Sequence, residues 1–463
     1  YSIKVKVVDT LGKESNVYSL SVTTDAYVLP KVTNVSTSST SNSITINVSA
    51  SGGTGSVVKY YYSKDNGSNY VESTSNSYTF SNLTSNATFY VKVYVKDSNN
   101  RESSVSSTSI KTMIPTIKDV CSSGTNLASC IKSFGDKDSS ISKIYHHDAS
   151  LTNGAGDNSY RFAGGDYVLT EAGKATGATM MIGYNNTVTT ALIDFYCNGT
   201  KRYVGYKCDA SQAHYYLIKG DTTHYQTYKE TLNKAVEKGY LTKDNVKNFV
   251  CFGSEASSCP TENLYRIIGV FGDRVKLIKS TSVGNMKWNT EAKNKWSNAS
   301  LNSYLNNEFI NALGDWTNKI DTTTWKVGGF SNSSQTANTV YQNEINSSPS
   351  VNKKIGLMYV SDYMYAAPQD KWTLVGNNSS DTSKDYRAAK SVNWMYLGAT
   401  EWTISLNVDD SMRAFFVGGN GFVSGLSNLG VMDAYAVRPA FSLISSVTYV
   451  EGDGTQNSPI RIN

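Results

Sequence analysis

The chain has little of several things that would commit it to a chemistry. Only 7 of its 463 residues are proline and 4 are histidine, and no cysteine follows Cys259. Catalysis by a thiol is thereby excluded from the last two hundred or so positions. No apolar run reaches the ~18 residues a membrane-spanning helix needs. The 43 Lys+Arg and 38 Asp+Glu nearly balance, and no dense basic run occurs, so the clustered positive face of a nucleic-acid binder is missing. No secretory leader opens the chain, so a leader and an anchor are expected outside this fragment.

What is present is polar and lightly charged. Ser, Thr and Asn abound, 32 residues are tyrosine, and charged residues make up 17%. The length calls for more than one core. Six cysteines fall as three close pairs, Cys121/Cys130, Cys197/Cys208 and Cys251/Cys259. Six allow fifteen pairings, among which local pairing is the expectation. For Cys197/Cys208 the turn signal Asn198-Gly199-Thr200, set between Phe195-Tyr196 and a strand at Tyr203 to Tyr206, makes a cross-strand bridge natural. The outer two pairs each enclose a Ser-rich, turn-like segment. Disulfides point to secretion.

An internal repeat organises the start of the chain: Tyr1 to Val17 aligns with Phe89 to Val105 at one constant offset. Residues 1–28 therefore read as the last strands of one module and 29–113 as the next, with period-2 strands such as Ser43 to Val48 and Val57 to Tyr62 and a turn at Asp65-Asn66-Gly67. Leu83 to Val93 resembles the start of strand F in fibronectin type III domains, with Phe89 where that family usually has a corner tyrosine. The resemblance implies an all-β sandwich of immunoglobulin or fibronectin type.

Residues 114–165 show little periodicity and read as a linker and lead-in to the C-terminal domain; 166–247 read as a small α+β insertion. The insertion carries the cysteine hairpin and a helix from Tyr225 to Lys238, with Tyr228, Leu232 and Ala235/Val236 at helical spacing and Gly239 as its stop. From 248 to 463 the pattern is a hairpin, Leu264 to Phe271 and Arg274 to Lys279 through Gly272-Asp273, then a helix from Ala299 to Ile310 with Ser300 as N-cap. Loops fill Asn318 to Ser350, and short strands are expected at Ile355 to Val360, Thr403 to Ser405, Ala414 to Val417 and Tyr435 to Leu443.

Three blocks, Tyr265 to Phe271, Trp394 to Ile404 and Val437 to Leu443, resemble those of large gut-bacterial surface proteins that carry a bacterial form of the C-type-lectin fold. The resemblance implies an α+β C-type-lectin-like domain related to formylglycine-generating enzymes and to the variable proteins of diversity-generating retroelements. The enzymes need a late cysteine pair, which the chain lacks. The calcium triplet of animal lectins is also missing: Ala367-Pro368-Gln369-Asp370 has the wrong order and Asn393-Trp394 is followed by Met395. A binding surface is the remaining expectation, on Asn407, Asp409, Met412, Arg413, Asn420, Phe422, Leu426, Asn428, Met432 and Asp433, with Phe415 and Val417 as core.

Other constellations are weaker. His146-His147-Asp148 reads as a solvated polar turn, Gly418 to Gly421 as a β-turn, and Glu451 to Gln456 as a turn before a cation site. All seven tryptophans lie after residue 287; a loop-rich core needs such area, and Trp325 and Trp372 are the candidates for sugar stacking. The expected protein is a non-catalytic, extracellular bacterial cell-surface adhesin. It would use no cofactor or metal, bind a host or neighbouring-cell protein or glycan, contact no nucleic acid and gain avidity from multivalency. A phage tail receptor binder on a virion and a glycan-acting enzyme using Glu401, Asp409 and Asp410 are the alternatives.

Overall fold

A computed structural model of the chain divides it into two compact units, residues 1–115 and 116–463. It describes all residues except 25, 165–166, 177–191, 203–207, 210, 219–222, 225–227, 244–245, 377–383 and 391.

The first unit opens with strands β1 (Ser2–Val5) and β2 (Tyr18–Ser21), an antiparallel ribbon whose residues are all exposed. Seven more strands form a sandwich: β3 (Lys31–Ser39), β4 (Ile44–Ser51), β5 (Val57–Ser63), β6 (Val71–Ser73), β7 (Ser77–Phe80), β8 (Thr88–Asp97) and β9 (Ser106–Lys111). One sheet has the order β3-β4-β7, the other β6-β5-β8-β9. The period-2 pattern explains the burial. Ile44, Ile46 and Val48 on β4 face Val91, Val93 and Val95 on β8, and the intervening residues point outward. Asn66 and Gly67 take positive φ of 60° and 87° in the expected turn. Phe89 packs half-buried against this core.

The second unit is built on a mixed set of short elements around one large core. Its main sheet, among the described residues, has the order Ile144–His146, Tyr160–Phe162, Leu264–Phe271, Arg274–Lys279, Ala440–Ser442, Ile355–Gly356, and Phe249–Cys251 also pairs with Leu264–Phe271. The expected hairpin stands, Phe271 facing Arg274 across Gly272-Asp273. A second sheet joins Asn285–Lys287, Ala434–Ala436, Glu401–Leu406, Ala414–Val417 and Val423–Ser424 in that order.

Several expectations are corrected. The stretch 114–165 is no linker: the helix Leu127–Lys137, capped by Asn126 accepting from the Ser129 amide (3.0 Å), buries Leu127, Ile131 and Phe134 in the same core as Trp288 and Phe441. Ser300 is not an N-cap. Its hydroxyl accepts from the Thr290 amide, Ala299 holds the cap position, and the helix Ser300–Tyr304 widens into a π turn over Leu305–Phe309. Asn318 to Ser350 contains the strand Thr323–Lys326 and the helix Ala337–Ile345, and Val360 opens a helix instead of closing a strand.

Residues 166–247 keep a separate small core of Leu192, Ile193, Ile218, Ala235 and Leu241, and its ends pair antiparallel, Leu169 with Leu241. Asn198 and Gly199 make the turn with positive φ. A third strand, His214–Ile218, lies along Ile193–Cys197 where no strand was expected. The strand expected at Tyr203 to Tyr206 lies outside the described residues, as do the first residues of the predicted helix, which is seen over Tyr228–Glu237.

All three local disulfides form: Cys121–Cys130, Cys197–Cys208 and Cys251–Cys259 have Cα–Cα distances of 5.6, 5.7 and 5.8 Å. The surroundings of two differ from expectation. The segment enclosed by Cys121 and Cys130 is turn only up to Asn126; Cys130 itself stands inside the helix Leu127–Lys137 and is buried in the large core, so the bond ties the start of that helix to the chain before it. Cys208 is half-buried and lies on no strand, so its bond is not the cross-strand bridge that was expected. The reason is register: Cys197 already faces Thr200 on one side and His214 on the other, which leaves Cys208 to reach it from irregular chain.

Candidate functional site

The two frames around the expected surface are joined by a buried ion pair. Arg438 donates through Nε (2.6 Å) and Nη2 (2.8 Å) to the two carboxylate oxygens of Glu401, and both side chains are almost wholly buried. Nη2 also reaches the Met395 carbonyl at 2.7 Å. Burial pushes the Glu401 carboxyl up, and Arg438 pulls against that rise. The second sheet continues the junction: Glu401 pairs with Ala436 in parallel and with Val417 antiparallel. Trp402 stands behind it, its indole N–H donating to Met286. Phe415 and Val417 are core, as expected.

Between the frames, the loops that follow Leu406 are tied by amides. Asn407 is 1% exposed, so it is not a contact residue. Its Nδ2 donates to Gly425 (3.1 Å), its Oδ1 accepts from the Asp409 amide (3.0 Å), and its carbonyl accepts from Asn294 (3.0 Å). The short polar side chain is spent on holding two loops together. Asn294 does more of the same: one Nδ2 group lies within hydrogen-bond reach of the carbonyls of Asn407, Asp410 and Arg413, at 3.0, 3.0 and 2.8 Å. Asn332 completes the knot, accepting from Gly425 at 2.8 Å while its own amide donates to Asp409 at 3.0 Å. Neither Asn294 nor Asn332 was readable as part of the site, because each lies about a hundred residues away in sequence.

The other expected residues divide by exposure. Met412, Asn420, Leu426 and Asn428 are exposed, Asp409 is exposed but bonded to Ser331 and Asn332, and Arg413 pairs with Asp410 at 3.1 Å. Phe422 turns inward, edge-on to Phe416, in the hairpin that Gly418 to Gly421 closes as a β-turn. Met432 is half-buried, and Asp433 accepts from the Leu429 amide and the Tyr435 hydroxyl, both 3.1 Å, as a local brace. Two residues outside the expected set are more exposed than any of these apolar ones: Val408 at 55% and Leu429 at 62%. Met412 and Leu426 follow at 46% and 48%. The loops that carry them are bonded to one another through Asn407 to Gly425 and Val431 to Met412.

The remaining candidates resolve plainly. His147 is fully buried, not solvated: its Nδ1 accepts from the Ala155 amide (3.0 Å), and its ring packs against Tyr365 and Trp372. Burial and the nearby Arg161 hold its pKa well below the usual histidine range. His146 instead stacks on Tyr160 at 4.2 Å. Trp372 is sealed in the core with its N–H on the Ala367 carbonyl, and Trp325, its N–H on the Lys353 carbonyl, lines an internal cavity, so neither is a surface platform for a sugar. Asp453 turns back onto Thr455, and no group of acidic, histidine or cysteine ligands placed to hold a metal occurs among the described residues.

No family model matches the chain, and no curated protein matches it. Among solved structures it is similar to chitinase ChiA74 from Bacillus thuringiensis, with 27% identity over 19% of this chain and 14% of that one. It is similar also to the PKD1 domain of Vibrio anguillarum Epp, with 17% identity over 19% and 100%, and to the fn3 domain of the human collagen alpha-1(XX) chain, with 18% over 21% and 94%. Each has a TM-score of 0.17. The chain thus spans a small part of the chitinase, and at these scores the likenesses add nothing to the sandwich's own strand order. In that order the short strand β6 pairs with β5 in the sheet of β8 and β9, whereas an immunoglobulin constant domain carries its fourth strand on the other sheet.

Proposed function

We propose that this chain belongs to a non-catalytic, extracellular bacterial cell-surface adhesin, in which a fibronectin-type stalk carries a C-type-lectin-like domain that binds a protein or glycan. The observation that supports it is the combination at the C-terminal unit: apolar Val408, Met412, Leu426 and Leu429 are exposed on loops that Asn294, Asn332 and Asn407 tie down. Soluble chains seldom leave several large apolar side chains on neighbouring rigid loops without a partner for them. A preformed surface loses little conformational entropy on binding. Three closed disulfides are the chemistry of an oxidising compartment, and no helix among the described residues is long and apolar enough to cross a membrane. The block resemblance of Trp394 to Ile404 and Val437 to Leu443 carries the lectin-like part of the reading, and with it the kinship to retroelement-diversified proteins.

The test is binding of the labelled chain to arrays of glycans and host surface proteins. The double variant Met412→Ser, Leu426→Ser should lose capture by at least roughly tenfold, equivalent to about 1.4 kcal/mol, with its melting temperature unchanged. Glycan turnover by the native chain that vanishes in Asp409→Asn, Asp410→Asn would overturn the reading in favour of an enzyme.

A further inference from the structure

The C-terminal unit also holds a cavity of about 220 Å³ that none of the loops above line. It lies between the strand Thr323–Lys326, the helix Ala337–Ile345 and the end of the opening hairpin. Its aromatic wall is Phe271, Trp325, Tyr341 and Tyr359; Thr324, Lys326 and Ile345 stand exposed at its edge.

The polar side of this cavity is charged. Lys276 is 6% exposed and its ammonium hydrogen-bonds Asp362. It sits 4.7 Å from the centroid of Tyr359, 5.3 Å from Trp325 and 5.5 Å from Phe271. An ammonium has three N–H groups, and among the described residues Asp362 supplies the one acceptor for them. Thr323 adds a second open group: its Oγ1 is buried and has no partner among the described residues. A buried donor left without an acceptor costs about 1 to 3 kcal/mol.

The other charges near the cavity are already engaged. Arg161 donates to Asp157 and to Ser159, each at 2.8 Å, and lies 3.8 Å from Asp362. Glu344 accepts from the Val360 and Ser361 amides at 3.0 and 3.3 Å and from the Ser405 hydroxyl. Burial pushes its carboxyl up to about 7, so its negative charge is incomplete at neutral pH. Two basic groups, Arg161 and Lys276, thus pair with two acidic ones, Asp157 and Asp362, with Lys326 added at the edge. A cationic ligand would find both acids already taken by Arg161 and Lys276. An acceptor group would find open donors.

Size narrows the class. An apolar cavity of about 150 Å³ admits benzene, so this one takes a single ring with a short polar substituent. We propose that the cavity is a binding site for a small aromatic monocarboxylate, its ring against Trp325 and Phe271 and its carboxylate accepting from Lys276 and Thr323. The site is independent of the loop surface proposed for adhesion.

The experiment is calorimetric titration of the whole chain with benzoate, benzyl alcohol and benzylamine. Benzoate should bind measurably at millimolar concentration, benzyl alcohol roughly tenfold or more weakly, and benzylamine not at all. Ile345→Trp, a change at the exposed edge, should fill the mouth and abolish benzoate binding while the melting temperature holds. Lys276→Met should remove the preference for benzoate over benzyl alcohol. Equal affinity for the acid and the alcohol, silence toward all three compounds, or unchanged benzoate binding in Ile345→Trp would each overturn the proposal; the edge variant keeps it testable if Lys276→Met does not fold.

Discussion

The two units solve the problem of building a core in opposite ways. The sandwich buries small β-branched residues in strict alternation, Ile44, Ile46 and Val48 against Val91, Val93 and Val95; buried Tyr62 gives its hydroxyl to the Ser75 carbonyl, and buried Asp97 at the end of β8 pairs with Arg101. The C-terminal unit buries Trp288, Trp296, Trp325, Trp372 and Trp402 together with paired acidic and basic side chains such as Arg161, Lys276, Glu401 and Arg438. Regular strands let neighbouring backbone satisfy its own hydrogen bonds, so the sandwich needs few polar side chains inside. Short elements and long connections leave carbonyls and amides to be satisfied by side chains, and Asn294, Asn407 and Glu344 do so. The sandwich should therefore fail through lost volume, and the C-terminal unit through lost partners.

The largest expected effect tests the second half of that contrast. Arg438→Met leaves Glu401 buried without its partner, a loss of about 3 to 5 kcal/mol. In differential scanning calorimetry the transition of the C-terminal unit should drop by many degrees while that of the sandwich stays put. Val93→Ala, the counterpart in the sandwich, removes two buried methyl groups for about 2 kcal/mol and should move the other transition alone. A single transition that shifts with both variants would break the comparison.

Glu344 gives the next effect. Its folded pKa of about 7 lies above the ordinary glutamate value of 4.5, so the folded state binds more protons between those pH values and stability falls as pH rises through that window. Glu344 faces Ser361, Ser405 and Asp362, and Asp362 raises it further. His147, held low by burial, acts with the opposite sign below its ordinary range, so the measurement is the difference between proteins. Glu344→Gln should remove a pH-dependent loss of up to roughly 3 kcal/mol between pH 4.5 and 7 in urea titrations. Curves for the two proteins that stay parallel across the window would show that Glu344 does not titrate there.

Smaller in stability, but aimed at the proposed binding surface, is Asn294→Ala. It takes a partner from the carbonyls of Asn407, Asp410 and Arg413, of which the last two keep the Arg413 and Asn407 amides, for about 1 kcal/mol. Amide hydrogen exchange should speed up over residues 407 to 413 and leave the frames protected. Unchanged exchange there would mean that the loop is held by other contacts.

Legibility follows the same division. The sandwich could be read because its signals are local: alternation, a turn at Asn66-Gly67 and a repeat of the strand motif. The hairpin at Gly272-Asp273 and the pairing of the six cysteines were legible for the same reason. Where Cys130 and Cys208 sit was not, because a helix holds the one and the neighbouring strands of a small sheet exclude the other. The helix Leu127–Lys137 did carry a local signal, an Asn126 cap followed by Leu127, Ile131 and Phe134 on one face. The helix Ala337–Ile345 had none of that strength; it exists because Ala337, Val340 and Glu344 are buried by partners far along the chain. At the candidate site, the expectation that Asn407 faces outward was wrong for a physical reason. An Asn beside two loops is worth more as a tie than as a contact, and its partners at Gly425 and Asn294 cannot be seen from its neighbours. The exposure of Val408 and Leu429 was missed because nothing in their sequence neighbours marks an apolar side chain as facing outward.

The Glu401–Arg438 pair also sets how freely this protein could change between its frames. The pair closes a ring of 37 positions, and the entropy of closing a flexible ring grows only with the logarithm of its length, about 0.6 kcal/mol for each doubling. Changes of length inside the ring are therefore cheap only in its connecting loops, because the strands Glu401–Leu406, Ala414–Val417 and Val423–Ser424 are buried throughout. The clasp thus fixes where those loops begin and end, whatever their length.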